Sequence, residues 1–219
     1  MRYEYRTGAR KTKSRAKIWL ALPVIGLLIG GYIVVNTVAP SVSVFAGPVD
    51  ATAKKLVAQK PNLAENRLYI PKINVDVAVV KINGDEKTAL EKGAVHRAPD
   101  SGNPAKGGNF VLAAHRFQLG FTPDQTRQKS PFYHIDQLNT GDQLYVDYYG
   151  TRYAYEVTER KDVPQNATEI EDRTDSAQLT LYSCELAGPQ AGREVVLAKP
   201  IGTVAWDDSG APKIKPIGS

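Results

Sequence analysis

Cys184 is the only cysteine in the 219-residue chain, and it closes an apolar run, Thr180-Leu181-Tyr182-Ser183-Cys184. A lone thiol in that position is either an inert filler of the core or a nucleophile. Two further residues favour the second reading. His115 closes another apolar run, Leu112-Ala113-Ala114-His115, and Arg193 opens a third, Arg193-Glu194-Val195-Val196. A thiolate attacks a carbonyl far better than a thiol does. An imidazole within reach takes the thiol proton and returns it to a departing amine. A guanidinium, which does not lose its charge, stabilises a carbonyl oxygen as it becomes anionic, or holds the substrate backbone. The three side chains together suit peptide-bond cleavage through a thioester that an incoming amine resolves. Glu185 is no general base for this chemistry, because it follows the cysteine directly and successive strand residues point to opposite faces. His96, in a loop-rich segment, reads as solvated, and His134, between Tyr133 and Ile135, reads as packing.

Such residues need strands to carry them, and the chain supplies the pattern. Residues 68–70 stop at Pro71, Val75, Val77 and Val79 alternate, and 109–114 form a short apolar run. Residues 144–149 and 152–157 flank Gly150-Thr151, a hairpin signal, and 178–184 and 194–198 complete the set. Helical pattern is confined to 86–92, ended by Gly93, and to a turn around 132–138. Short strands with turn signals between them predict an all-β domain. Its expected form is a closed or nearly closed barrel of seven to eight strands with a few short helices, spanning residues 66–202. Loops 116–131 and 158–177 are expected at the barrel mouth, where specificity would lie. Residues 203–219, with Asp, Gly and Pro, are expected to form a flexible tail.

The N-terminus bears on location. Residues 18–38 are 21 positions without a charge, about the ~20 that span a bilayer core. Residues 1–17 hold seven basic side chains against Glu4 alone, which predicts a cytoplasmic N-terminus and an exported remainder. A cleaved signal peptide is the other reading, with Val44-Phe45-Ala46-Gly47 as its cleavage site, but its apolar part is normally only about 7–15 residues. Residues 39–65, punctuated by Pro40, Gly47, Pro48 and Pro61, read as a tether with one short helix over 50–59. The basic segment carries a net charge of about +6 and the chain +5, so the exported part is near neutral. A nucleic-acid partner is therefore not expected.

The motifs resemble those of the sortases. Thr180-Leu181-Tyr182-Ser183-Cys184 is similar to the Thr-Leu-x-Thr/Ser-Cys signature, and Leu112-Ala113-Ala114-His115-Arg116 to the strand-ending histidine motif. Arg193 falls where the family's arginine follows its cysteine, with spacings of 69 and 9 residues between the three. Gly107-Gly108-Asn109 and Ile70-Pro71-Lys72-Ile73 fit as well. The resemblance implies Cys184, His115 and Arg193 as catalytic residues, with the hydroxyls of Thr180 and Ser183 contacting substrate. It implies cleavage of a C-terminal sorting signal on exported proteins and transfer to a cell-wall or pilin amine. Pilus-building members often carry an Asp-Pro-aromatic lid and a second span; neither is evident, which favours a housekeeping-like or general anchoring enzyme. Some members bind calcium, but Asp172 and Asp175 match no ligand set, and no cofactor is expected. Two alternatives are an L,D-transpeptidase, whose His-Gly motif before the cysteine is missing, and an inactive membrane-tethered binding module.

Overall fold

The computed structural model describes residues 16–42, 55 and 58–217. Most of the basic N-terminal segment, the residues of the cleavage-like motif and most of the helix expected over 50–59 lie outside the described residues. The first element, helix α1 (Ala16–Val42), is 27 residues long. Within it Ala21–Ser41 has a mean hydropathy of 2.0 and is long and apolar enough to cross a membrane. Leu22, Ile25, Leu27, Leu28 and Val34 are all exposed, which suits a helix surrounded by lipid. The described residues up to Val35 and those from Asn36 onward form separate units, and the second contains the sheet.

The sheet begins with β1 (Arg67–Ile70) and β2 (Val75–Lys81). It continues with β3 (Ala94–His96), β4 (Gly102–Asn103) and β5 (Gly107–Ala113). The hairpin β6 (Gln143–Tyr148) and β7 (Thr151–Val163) follows, then β8 (Gln178–Glu185), β9 (Gly188–Trp206) and β10 (Pro212–Pro216). Neighbours run β9-β7-β6-β1-β2-β3-β5, and β8 pairs with both β5 and β9, so eight strands close into a barrel. Two pairings are parallel, β2 with β3 and β5 with β8. Closure follows from the alternating pattern. Leu68, Ile70, Phe110, Leu112, Leu144, Val146, Leu179, Leu181 and Val196 point inward and are fully buried or nearly so. Each such side chain is worth roughly 1.5–3 kcal/mol relative to an exposed one. The outer face of β5, β8 and β9 carries Val111, Ala113, Tyr182 and Val195, and Ala167 and Ile170 of the β7–β8 connection cover it.

Three details differ from the sequence expectation. The hairpin turns at Tyr149-Gly150, one residue early, because both residues take positive φ (47° and 81°), the geometry of a two-residue hairpin turn. The 116–131 segment contains a helix, α3 (Pro123–Lys129), whose start is capped by the Thr122 hydroxyl accepting from the Gln125 amide. (Helix α2 is Glu86–Leu90, capped by Asp85.) The expected flexible tail is instead ordered as far as residue 217: β9 runs on to Trp206, and β10 folds back on it with Ile214 opposite Val204. Trp206 and Ile214 cover a third apolar patch of Tyr69, Tyr145, Ala154 and Val204. The Asp, Gly and Pro residues that suggested a loose tail make the turn of this hairpin and bound its last strand.

Candidate active site

The site grows out of three neighbouring strands. Parallel β5 and β8 pair Val111 with Thr180 and Ala113 with Tyr182. The Ala114 amide adds one more bond to the Tyr182 carbonyl, 3.3 Å. Continuing that register by two residues sets His115 beside Cys184. On the other side of β8, antiparallel β9 pairs Cys184 with Arg193. Laterally paired residues share a face, with Cβ atoms about 4.5–5.5 Å apart. Cys184 and Arg193 thus sit side by side at the ends of β8 and β9, and His115 follows the end of β5 two residues past its last ladder pair.

Each side chain is left available. Cys184 is exposed. His115 is half-buried, its carbonyl accepts from the Phe132 amide at 3.2 Å, and its ring has no hydrogen-bond partner among the described residues. Burial holds the His115 pKa below the usual imidazole range; Glu91 partly offsets this, while Lys129 and Lys87 add to it. The Arg193 guanidinium lies 5.2 Å from the centre of the Tyr182 ring, a cation–π contact, and makes no ion pair with a described residue. The Tyr182 hydroxyl in turn donates to Glu171, which Arg97 also holds at 3.1 Å. Burial, then Glu171, pushes the Tyr182 pKa well above the usual phenol range. Tyr182 is a site residue that the sequence reading passed over. Its place two residues before the cysteine, on the same face, was the available signal.

The two hydroxyls expected to contact substrate lie elsewhere. Ser183 points to the opposite face from Cys184 and is 1% exposed. Thr180 shares the cysteine's face but sits four residues away, roughly 13 Å along a strand, and is fully buried. Its Oγ1 donates to Asn109 Oδ1 at 2.6 Å. Asn109 Nδ2 donates to the carbonyls of Ile170 and Asp172 at 2.9 and 2.8 Å. Thr180 and Asn109 therefore hold the β7–β8 connection against the sheet. His96 is buried rather than solvated, its Nε2–H donating to the Gly102 carbonyl at 3.2 Å. His134 donates through Nε2 to the Pro40 carbonyl at 2.9 Å. Among the described residues, no three His, Cys, Asp or Glu side chains converge as a metal site requires. A groove of about 440 Å³ lies between Val163 and Pro164 at the end of β7 and Gln190 and Ala191 in β9.

The Sortase domain family model matches residues 68–201, which takes in nearly all of the barrel and all three strand ends. The chain belongs to the sortase family. Its barrel is similar to that of Listeria monocytogenes sortase A, with a TM-score of 0.54 and 23% identity, covering 68% of this chain and 90% of that one. It is similar also to sortase E1 of Streptomyces coelicolor, solved with a tripeptide in the active site. There the TM-score is 0.53 and the identity 20%, over 71% of this chain and 91% of that one. Group B Streptococcus Pilus Island 1 sortase C2 shares 26% identity at a TM-score of 0.52, over 62% and 73% of the two chains. No curated protein matches the chain. Sortases are cysteine transpeptidases, so this sortase is placed in that class and the L,D-transpeptidase alternative falls away.

Proposed function

We propose that this sortase is a membrane-anchored transpeptidase in which Cys184 is the nucleophile, His115 the proton carrier and Arg193 the oxyanion and substrate-backbone donor. The Cys184–Arg193 pair, with His115 following the end of the neighbouring strand β5, is the observation that supports the reading. Neutral His115, favoured by its burial, takes the Cys184 proton as the sulfur attacks the scissile carbonyl. Arg193 turns its donors to the oxygen that becomes anionic. His115 then protonates the departing amine, leaving an acyl thioester on Cys184. An incoming amine attacks that thioester, and its proton passes to His115 as the new amide forms and the thiol is restored. The substrate is the C-terminal sorting signal of exported proteins, and the acceptor is a cell-wall or pilin amine. Residues 1–17 stay in the cytoplasm, 18–38 cross the membrane, 39–65 form a tether and 66–202 act outside as a housekeeping-like anchoring enzyme.

The test uses the full chain in detergent, with Cys184→Ala beside it. Each is mixed with peptides of sorting-signal type, with and without an amine acceptor, and weighed intact by mass spectrometry. A hydroxylamine-labile acyl adduct on the wild type alone, converted to an amide product by the acceptor, is the expected result. Absence of any adduct across a broad peptide pool would leave the inactive binding module as the better account.

A further inference from the structure

Both ladders that build the site run out at the site. The β5–β8 pairing ends at Ala113 and Tyr182, so His115 lies beyond it, held by one backbone bond from Phe132. The β8–β9 register breaks between Cys184 and Glu185, directly after the Cys184–Arg193 pair. No hydrogen bond from a described residue orients the His115 ring. Sheet pairing therefore holds Arg193 between Cys184 and Val163 but does not hold His115 against Cys184.

The next residue along each strand provides the missing restraint. Arg116 follows His115, Glu194 follows Arg193, and both point to the opposite face, where each side chain is only 6% exposed. Arg116 Nη1 donates to Glu194 Oε2. Its Nη2 lies 3.1 Å from Asp136 Oδ1, and its Nε donates to the Tyr133 carbonyl at 3.0 Å. The other Glu194 oxygen accepts from Arg160 at 2.7 Å. The pair joins the end of β5 to β9 across the back of the strand between them, β8. On that face Ser183, laterally paired with Glu194, keeps a buried Oγ with no hydrogen-bond partner. A buried ion pair is weak evidence of stability, since desolvation offsets its attraction. Its geometric rigidity is another matter, because a guanidinium held by three partners in different directions cannot rotate.

We infer that the Arg116–Glu194 pair is a clasp that positions His115 by tying the end of β5 to β9, where Arg193 is paired with Cys184. Arg116 and Glu194 are positioning residues, acting through their neighbours in the chain. The inference rests on the catalytic roles proposed above. It carries weight because a misplacement of about 1 Å in a reacting group costs about 10²-fold in rate.

The test compares wild type, His115→Ala, Arg116→Lys and Glu194→Gln, as full chains in detergent. The rate of Cys184 alkylation by iodoacetamide is measured against pH, with thermal melts and peptide-cleavage kcat and KM alongside. Arg116→Lys keeps the charge and loses the fork; Glu194→Gln keeps the shape and loses the charge, and serves should the first not fold. The charges facing His115 (Glu91, Lys87, Lys129 and, across Cys184, Arg193) are unchanged in all of them. The clasp variants are expected to be folded, with the alkylation profile moved to that of His115→Ala. Their kcat falls about tenfold or more with KM within about twofold, as a loss of positioning requires. Folded clasp variants with the wild-type profile and kcat, whatever their melting points, would reduce the pair to a structural element and overturn the clasp alone. If wild type and His115→Ala give the same profile, the catalytic reading fails, and the clasp with it.

Discussion

Arg193 is the most telling side chain at the residue scale. An arginine beside a buried acid is normally tied up in an ion pair, yet Glu171 is taken by Tyr182 and Arg97, and Glu194 by Arg116 and Arg160. Arg193 rests on the Tyr182 ring and makes no ion pair with a described side chain. Arg193→Ala is expected to lower kcat by about 10²–10³, the cost of losing an oxyanion donor, measured by single-turnover peptide cleavage. Arg193→Lys should recover part of that, because a point charge remains without the fork. The proton carrier is testable through its surroundings. Lys129 lowers the His115 pKa and is paired with Glu91, which raises it. Lys129→Gln removes the first influence and frees the second, so the His115 pKa rises. If neutral His115 is the base, activity is lost as pH falls through that pKa. The acid limb of kcat/KM is thus expected to move to higher pH in Lys129→Gln, and an unmoved limb would argue against His115 as the base.

At the scale of elements, the site depends on how the β7–β8 connection lies on the outer face of the sheet. Its 3-10 turn at Glu169–Glu171 places Ile170 over Val111 and Tyr182 and brings Glu171 to the Tyr182 hydroxyl. Asn109 fastens it with two bonds to its carbonyls and is itself fixed by Thr180. The approach to β5 is equally constrained: Gly108 has φ 75°, and a Cβ there would lie 2.4 Å from the Ser101 carbonyl oxygen. Asn109→Ala takes a partner from the buried Ile170 carbonyl, the part-exposed Asp172 carbonyl and the Thr180 hydroxyl, a cost of about 1–3 kcal/mol. The expected signature is faster amide hydrogen exchange in residues 164–177, with the barrel interior strands β1 and β6 little changed. Uniform loss of protection would instead make Asn109 part of the global core.

For the whole molecule, stability depends on pH and on the C-terminal hairpin. His96 is buried against Phe110, with ring centres 4.7 Å apart, and burial lowers its pKa below 6.5. The unfolded chain then binds more protons than the folded one between 6.5 and the depressed value. The His96 contribution is complete above that window and is lost as the pH falls through it. His96→Gln retains an N–H donor, and its melting temperature is expected to fall less than the wild type's between pH 7 and 5. Deleting residues 207–219 removes β10 and uncovers the patch beneath Ile214. Loss of that cover is worth about 1–3 kcal/mol, and the bared β9 edge invites association between copies. A lower melting point together with concentration-dependent light scattering would show both effects.

The amino-acid sequence by itself determined the strands with clean alternation, the bilayer-length apolar run and the three residue types that do chemistry. These are local signals: which way successive side chains point, and where an apolar run stops. It did not reveal the outer half of β7, because Thr158 to Asp162 are exposed and charged and gain their order from pairing with β9. Nor did it reveal β10, whose Pro and Lys residues look like tail until β9 supplies a partner. Tertiary structure alone decided that residues 69 positions apart stand side by side, since β5 and β8 become parallel neighbours only when the barrel closes. It also decided that the Thr180 and Ser183 hydroxyls are buried, and that Arg116 and Glu194 meet behind the cysteine. Lateral neighbours are chosen by closure of the sheet, and burial and ion pairing follow from that choice, so no spacing along the chain records them.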